Sequence, residues 1–262
     1  MTPRNGLTLQ TALSTHIAAG GKCFVPYLTG GLPGWEATIS AAAAAGVQGI
    51  EIGIPFSDPV MDGPVIQHSS QKALDAGATP AAIIDSVASI DVEVPLAVMT
   101  YANLVYRFGY ERFASELRAA GISGAILPDI PLEEAGPWCE AADGSGVETV
   151  MLAAPTADDD RLERVVERAR GFVYAVGLLG ITGERESLAA TSKVIAARLK
   201  SMTDKPVLVG VGVSTPQQAV EVSEVADGVV VGSAIVRRIL ETGSAEAGGE
   251  LMAEFVEALA LG

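Results

Sequence analysis

Two carboxylates, Glu51 and Asp62, stand in the stretch GIEIGIPFSDPVMDGP. Glu51 lies inside the apolar run GIEIG. Asp62 follows in a loop stiffened by Pro55, Pro59 and Pro64 and turned by Gly63. A carboxylate in a strand core has a high desolvation cost. Such a group either has a local partner or does chemistry near the strand's end. The chemistry open to it is proton transfer, because apolar neighbours such as Ile50 and Ile52 raise its pKa toward neutrality. A charge at a strand terminus that simply reaches water gives the same pattern, and position alone does not separate the two.

A second set of residues suits an anion. The segments VLVGVGVSTPQQA (207–219) and GVVVGSAIV (228–236) each run from an apolar strand through a glycine turn into a helix start. Gly212, Gly232 and Ser233 can bring backbone N–H groups to phosphate oxygens, and Ser233 adds a hydroxyl. Gly183, in LLGITGERES, offers another N–H from a glycine-hinged loop. Tight turns would account for any one of these glycines, and Ser233 could merely cap its helix. His16 and His68 have neither metal-site nor triad spacing.

The elements that must carry these residues repeat in a regular order. Strands are expected at Cys23–Leu28, Gly49–Gly53, Leu96–Thr100, Gly124–Leu127, Thr149–Leu152, Phe172–Ala175, Val207–Gly210 and Gly228–Val231. Helices are expected between them at Trp35–Ala45, Pro64–Ala76, Pro80–Ser89, Tyr110–Ala120 and Leu132–Ala142. Others follow at Asp159–Ala169, Glu186–Lys200, Pro216–Val225 and Ala234–Leu240, with a closing helix near Glu246–Leu259. An amphipathic helix around Leu7–Ala18 precedes them all. The strands are continuous apolar runs, which means burial on both faces and a parallel sheet covered by helices. Eight such units predict one (β/α)₈ barrel domain over residues 1–262. In a barrel, the loops after strands 7 and 8 are a common phosphate site. The first turn, YLTGGLPG, is not the G-x-G-x-x-G dinucleotide fingerprint.

Composition agrees with a packed α/β chain. Of 262 residues, 49% are hydrophobic, and 32 acidic against 17 basic residues give a net charge of −15. That balance opposes nucleic acid and anionic membranes as partners. Cys23 and Cys139 are too few for a disulfide scaffold or a cysteine metal site, so both are expected to be ordinary thiols. No apolar run approaches a membrane span, and no signal peptide is legible. A cytoplasmic protein without a metal is expected.

The segments FVPYLTGGLPG, IEIGIPFSDPVMDGPVIQ, MTYANLVYRFGYERF, ILPDIPLEE, GITG, GVGVSTPQQA and VVGSAIVRRI, in that order, resemble the indole-3-glycerol-phosphate lyase family, the α subunits of tryptophan synthase. The resemblance runs nearly end to end. It implies a (β/α)₈ barrel that cleaves indole-3-glycerol phosphate to indole and glyceraldehyde 3-phosphate. It also implies a β-subunit partner in an α–β–β–α assembly, which holds pyridoxal phosphate; this chain itself needs no cofactor. By the same resemblance Glu51 is the general acid/base, Asp62 orients the indole, and Tyr174 falls in the indole pocket, where its hydroxyl is expected to position the glycerol part. Phe24, Met99, Tyr101 and Leu127 line the indole pocket, and Gly183, Gly212, Gly232 and Ser233 hold the phosphate. Pro55, Asp58 and Pro59 belong to the partner-contacting loop.

Two loops depart from the family. Leu32 stands in TGGLP where an acidic residue is usual, and the sixth loop reads Gly177-Leu178-Leu179-Gly180-Ile181-Thr182-Gly183 without the common serine. These departures motivate a free-standing indole-producing lyase as an alternative. Two further alternatives are a weakly catalytic activator of a partner enzyme and a barrel isomerase or synthase for another sugar phosphate. Asp129 reads either as a support for Tyr174 or the sixth loop, or as a turn residue.

Overall fold

A computed structural model describes residues 6–177, 185–210 and 212–262, and for residues 185–190 the backbone alone. Eight short parallel strands close on themselves. They are β1 (Cys23–Thr29), β2 (Ile50–Gly53), β3 (Leu96–Met99), β4 (Gly124–Ile126), β5 (Glu148–Ala153), β6 (Val173–Ala175), β7 (Val207–Val209) and β8 (Gly228–Val231). Each pairs with the next in the chain, and β8 returns to β1 through Cys23↔Gly228 and Val25↔Val230. The expected (β/α)₈ barrel is therefore the observed one. Its helices are α1 (Leu9–Ala18), α2 (Trp35–Ala44), α3 (Pro64–Asp75), α4 (Pro80–Ser89), α5 (Ala102–Phe108) and α6 (Tyr110–Ala119). The later ones are α7 (Gly136–Ser145), α8 (Asp159–Arg168), α9 (Arg185–Lys200), α10 (Pro216–Ser223), α11 (Ser233–Thr242) and α12 (Ala245–Leu261).

Local chemistry explains most boundaries. Thr215 accepts from the Gln218 N–H while Gln218 reaches back to the Thr215 N–H, a capping box that starts α10 at Pro216. Two helices differ from expectation. Helix α7 begins at Gly136 rather than Leu132, because Pro137 has no N–H and is tolerated only in the first turn. Helix α5 was not expected; it spans seven residues and ends at Gly109, whose φ of 94° breaks the run before α6.

Successive strand residues face opposite sides of the wall. Val25, Ala97, Ile126, Val150, Phe172, Tyr174, Leu208 and Val230 form one interior cluster. Their neighbours Phe24, Ile50, Ile52, Val98, Leu127, Val207 and Val229 pack outward among the helices. Leu9 and Leu13 of α1 join the interior cluster and are fully buried, so α1 plugs the N-terminal end of the barrel. Glu148 of β5 anchors the plug: its carboxylate accepts the Leu9 N–H at 2.7 Å and the Gln10 N–H at 3.1 Å. Those amides belong to the first turn of α1, where no intrahelical acceptor exists. Cys23 and Cys139 are both buried free thiols.

Removing the Leu13 side chain would open a cavity at the base that the surrounding rigid strands cannot collapse to fill. Leu13→Ala is expected to cost about 2–5 kcal/mol of stability, read as a lower midpoint in urea unfolding.

Candidate active site

A cavity of about 510 Å³ opens at the C-terminal ends of the strands. Glu51 reaches it from β2, Met99 from β3, Ile126 from β4, Leu152 from β5 and Tyr174 from β6. Asp62 comes from the loop between β2 and α3. On the β7–β8 side, Gly212, Gly232 and Ser233 complete the lining. The apolar middle suits a flat aromatic group, and the ends are polar.

Glu51 is 1% exposed, and among the described residues neither of its carboxylate oxygens has a hydrogen-bond partner. Burial, and next the nearby Asp62 charge, push its pKa up to about 8. It is thus a carboxylic acid near neutrality, able to give a proton into the cavity. Asp62 is half-buried, and its loop is tied down by its own N–H to the Pro59 carbonyl and by Gln67 donating to the Asp62 carbonyl. Burial raises its pKa too, but a hydrogen bond from Tyr101 opposes the rise. Tyr27 and Tyr174 are held as neutral phenols, mainly by burial and then by the two carboxylates. Two glycines make room for these rings. A Cβ at Gly53 would overlap the Tyr27 hydroxyl, and one at Gly210 would overlap the Tyr174 ring.

The anion side is built from backbone. Helix α11 begins at Ser233 with no side-chain cap, so the N–H groups of its first turn have no intrahelical acceptor. Gly212 has φ of 89°, a conformation that favours glycine and turns the chain after β7 toward the cavity. The Ser214 N–H is already taken by Gln218. No lysine or arginine lines the described cavity.

Met99, Tyr174, Gly212, Gly232 and Ser233 thus meet Glu51 and Asp62 as expected from the sequence. Three other residues do not line the cavity. Phe24 faces outward and stacks on Phe255 of α12 at 5.0 Å between ring centroids. Leu127 likewise packs outward under the helices. Tyr101 stands behind Asp62 and touches the cavity only through it. Gly183 lies outside the described residues. Sequence reasoning missed Tyr27, Ile126 and Leu152, which occupy the inward faces of β1, β4 and β5. Asp129 accepts the Ala102 N–H at 2.8 Å and so caps α5. In the partner-loop segment, Pro55 is buried at the base and offers no surface; Asp58 and Val60 are exposed. Leu32 is buried beside the outer core, which makes it a packing residue.

A family model described as "Tryptophan synthase alpha chain" matches residues 13–259. The chain belongs to that family. Curated tryptophan synthase alpha chains similar to it include one from Thermobifida fusca, 39% identical over 261 residues and covering 97% of both chains. Another, from Lactiplantibacillus plantarum, is 41% identical over 230 residues, covering 86% of this chain and 87% of its own. Among solved structures, a Mycobacterium tuberculosis tryptophan synthase chain superposes with a TM-score of 0.89 at 34% identity, covering all of both chains. The alpha subunit from Legionella pneumophila gives 0.87 at 30%, covering 97% of this chain and 98% of that one. Membership in the tryptophan synthase alpha chain family makes this chain a carbon–carbon lyase of tryptophan biosynthesis. Among the described residues no cluster of three or more His, Cys, Asp or Glu could hold a metal, and no helix is long and apolar enough to cross a membrane.

The raised pKa of Glu51 has a consequence for stability. The folded state keeps a proton that the unfolded chain, with the ordinary value of 4.5, releases. The contribution of Glu51 to stability therefore falls as pH rises from about 4.5 to about 8 and levels off above. Glu51→Gln carries no such cost. It should match the wild type near pH 4 and exceed it at pH 8 by on the order of a few kcal/mol in denaturant unfolding. Equal midpoints at pH 8 would show that Glu51 is not held protonated.

Proposed function

We propose that this cavity binds indole-3-glycerol phosphate and cleaves it by a retro-aldol reaction to indole and glyceraldehyde 3-phosphate. The observation that carries the reading is the buried Glu51, whose pKa burial pushes up to about 8, beside a hydrogen-bonded Asp62 in a largely apolar cavity. Breaking the bond between indole C3 and the glycerol chain directly would leave an unstable carbanion. Glu51 first gives its proton to C3, making an indolenine whose C=N accepts the bonding electrons. The Glu51 carboxylate then takes the glycerol hydroxyl proton as the carbon–carbon bond breaks, and the acid is restored. Asp62 accepts the indole N–H and stabilises the positive charge that develops on that nitrogen. Tyr174 positions the glycerol part through its neutral hydroxyl.

The phosphate is held by backbone N–H groups at Gly212, Gly232 and Ser233, with Gly183 as a fourth contributor. Binding energy from this remote group orients the reacting carbon. The apolar sides of the slot, from Met99, Ile126 and Leu152, hold the indole. All of these residues act within one barrel domain. The loop carrying Asp58 and Pro59, flanked by exposed Val60, is the contact for a β subunit in an α–β–β–α assembly in the cytoplasm. That partner carries the pyridoxal phosphate and receives the indole.

Purified protein given indole-3-glycerol phosphate should release indole, faster when a β subunit is added. Glu51→Gln should abolish turnover while a substrate analogue still binds; cleavage at a similar kcat would remove Glu51 from the mechanism. Fast release unchanged by the β subunit would instead identify a free-standing lyase. At the anion side, Ser233→Asp places a carboxylate against the phosphate. It should raise KM by at least about tenfold, a loss of roughly 1.4 kcal/mol in binding, and an unchanged KM would overturn the phosphate assignment.

A further inference from the structure

Tyr101 follows β3, is 4% exposed, and stays out of the cavity lining. Its hydroxyl is nevertheless fully engaged on the side of Asp62. It accepts the Met61 N–H at 3.0 Å and donates to Asp62 Oδ2 at 3.1 Å. Its ring packs against Phe56 with centroids 5.0 Å apart. The next residue, Ala102, is fixed by its N–H to Asp129 Oδ1. A phenol held this way, with its lone pair facing the Met61 amide, has its proton left for Asp62.

We propose that Tyr101 is a positioning residue for the cleavage: its hydroxyl orients Asp62 from behind and keeps it a carboxylate while Glu51 carries the proton. This rests on the reading of Glu51 as acid and Asp62 as the charged partner. Tyr101 takes Oδ2 and leaves Oδ1 to the ligand. Among the described residues, the other titratable groups around the pair are Glu51 from β2, Tyr27 from β1, Tyr174 from β6 and Asp129 beyond β4. None of them is a cation, and none would favour a charged Asp62. The Tyr101 hydroxyl is what opposes the burial of Asp62. Burial already makes Glu51 the weaker acid of the two, and the charge of Asp62 couples their titrations. A donor reaching only one of them separates their roles.

Tyr101→Phe keeps the ring against Phe56 and removes only the hydroxyl. Aspartate-selective ¹³C labelling, with Asp62→Asn to identify the resonance, reads the Asp62 titration directly. Its midpoint should move up by about one pH unit. In indole release the acid limb of kcat/KM should move the same way, and kcat should fall about ten- to a hundredfold. An Asp62 midpoint and an acid limb both unchanged, whatever happens to KM, would overturn the proposal. A shifted midpoint with unchanged kcat would overturn its catalytic part. A wild type that releases no indole would overturn the lyase reading instead, and the labelled titration would still decide whether Tyr101 holds Asp62 charged.

Discussion

Burying one carboxyl group in an apolar barrel interior, with a second carboxylate close by, sets conditions on everything around it. Glu51 stays neutral only while no positive charge comes near. A lysine or arginine placed in the slot to hold a phosphate would lower the proton affinity of Glu51 and take away its acid. The described lining has no such cation. In the proposed site, attraction for an anion would come instead from oriented amides at the start of α11 and in the Gly212 turn, dipoles that fall off faster with distance than a full charge. The acid and the anion site can then share one small cavity. The same reasoning explains why a chain with net charge −15 can carry a phosphate subsite: the field that matters is local.

The remaining architecture serves the separation of those two carboxylates. Glu51 is placed by strand register, Tyr27↔Glu51↔Ala97, which is rigid because both neighbouring strands are paired through the barrel wall. Asp62 is placed by a loop, whose ties are the Pro59 and Gln67 hydrogen bonds and the Tyr101 hydroxyl. Bulky phenols can approach Glu51 only because Gly53 and Gly210 carry no side chain. A rigid strand and a hydrogen-bonded loop thus bring the two carboxylates to one cavity.

Much of this was legible in the sequence, for physical reasons that also mark where reading stopped. Apolar strand runs broken by helix-length segments imposed the barrel, and a carboxylate inside GIEIG was visible because its desolvation cost is high. The face of each strand was not visible. Runs such as FVPYL and GAIL are buried on both sides, so apolarity carries no parity; Phe24 and Leu127, which the family resemblance puts in the pocket, pack outside it. Alternation from Glu51 through the strand pairing would have given Tyr27 and Ile126. Helix α5, only seven residues long, is too short for a helical period to declare itself, and with it went the role of Asp129 as its cap. The family resemblance puts Tyr101 in the pocket wall; the path of the loop around Asp62 is decided by hydrogen bonds that composition does not encode, and these hold Tyr101 behind that carboxylate.

The helix α1 plug makes the barrel a blind vessel. Leu9 and Leu13 seal the end opposite the cavity, so whatever enters from the strand tips must leave past them. Two fragments made from one molecule would then queue at a single rim, and the larger question becomes one of traffic: the fragment lying deeper cannot depart first unless it has a route of its own along that rim. The exposed stretch around Asp58 and Val60 borders the same rim. A protein seated there would stand beside the opening that both fragments must use.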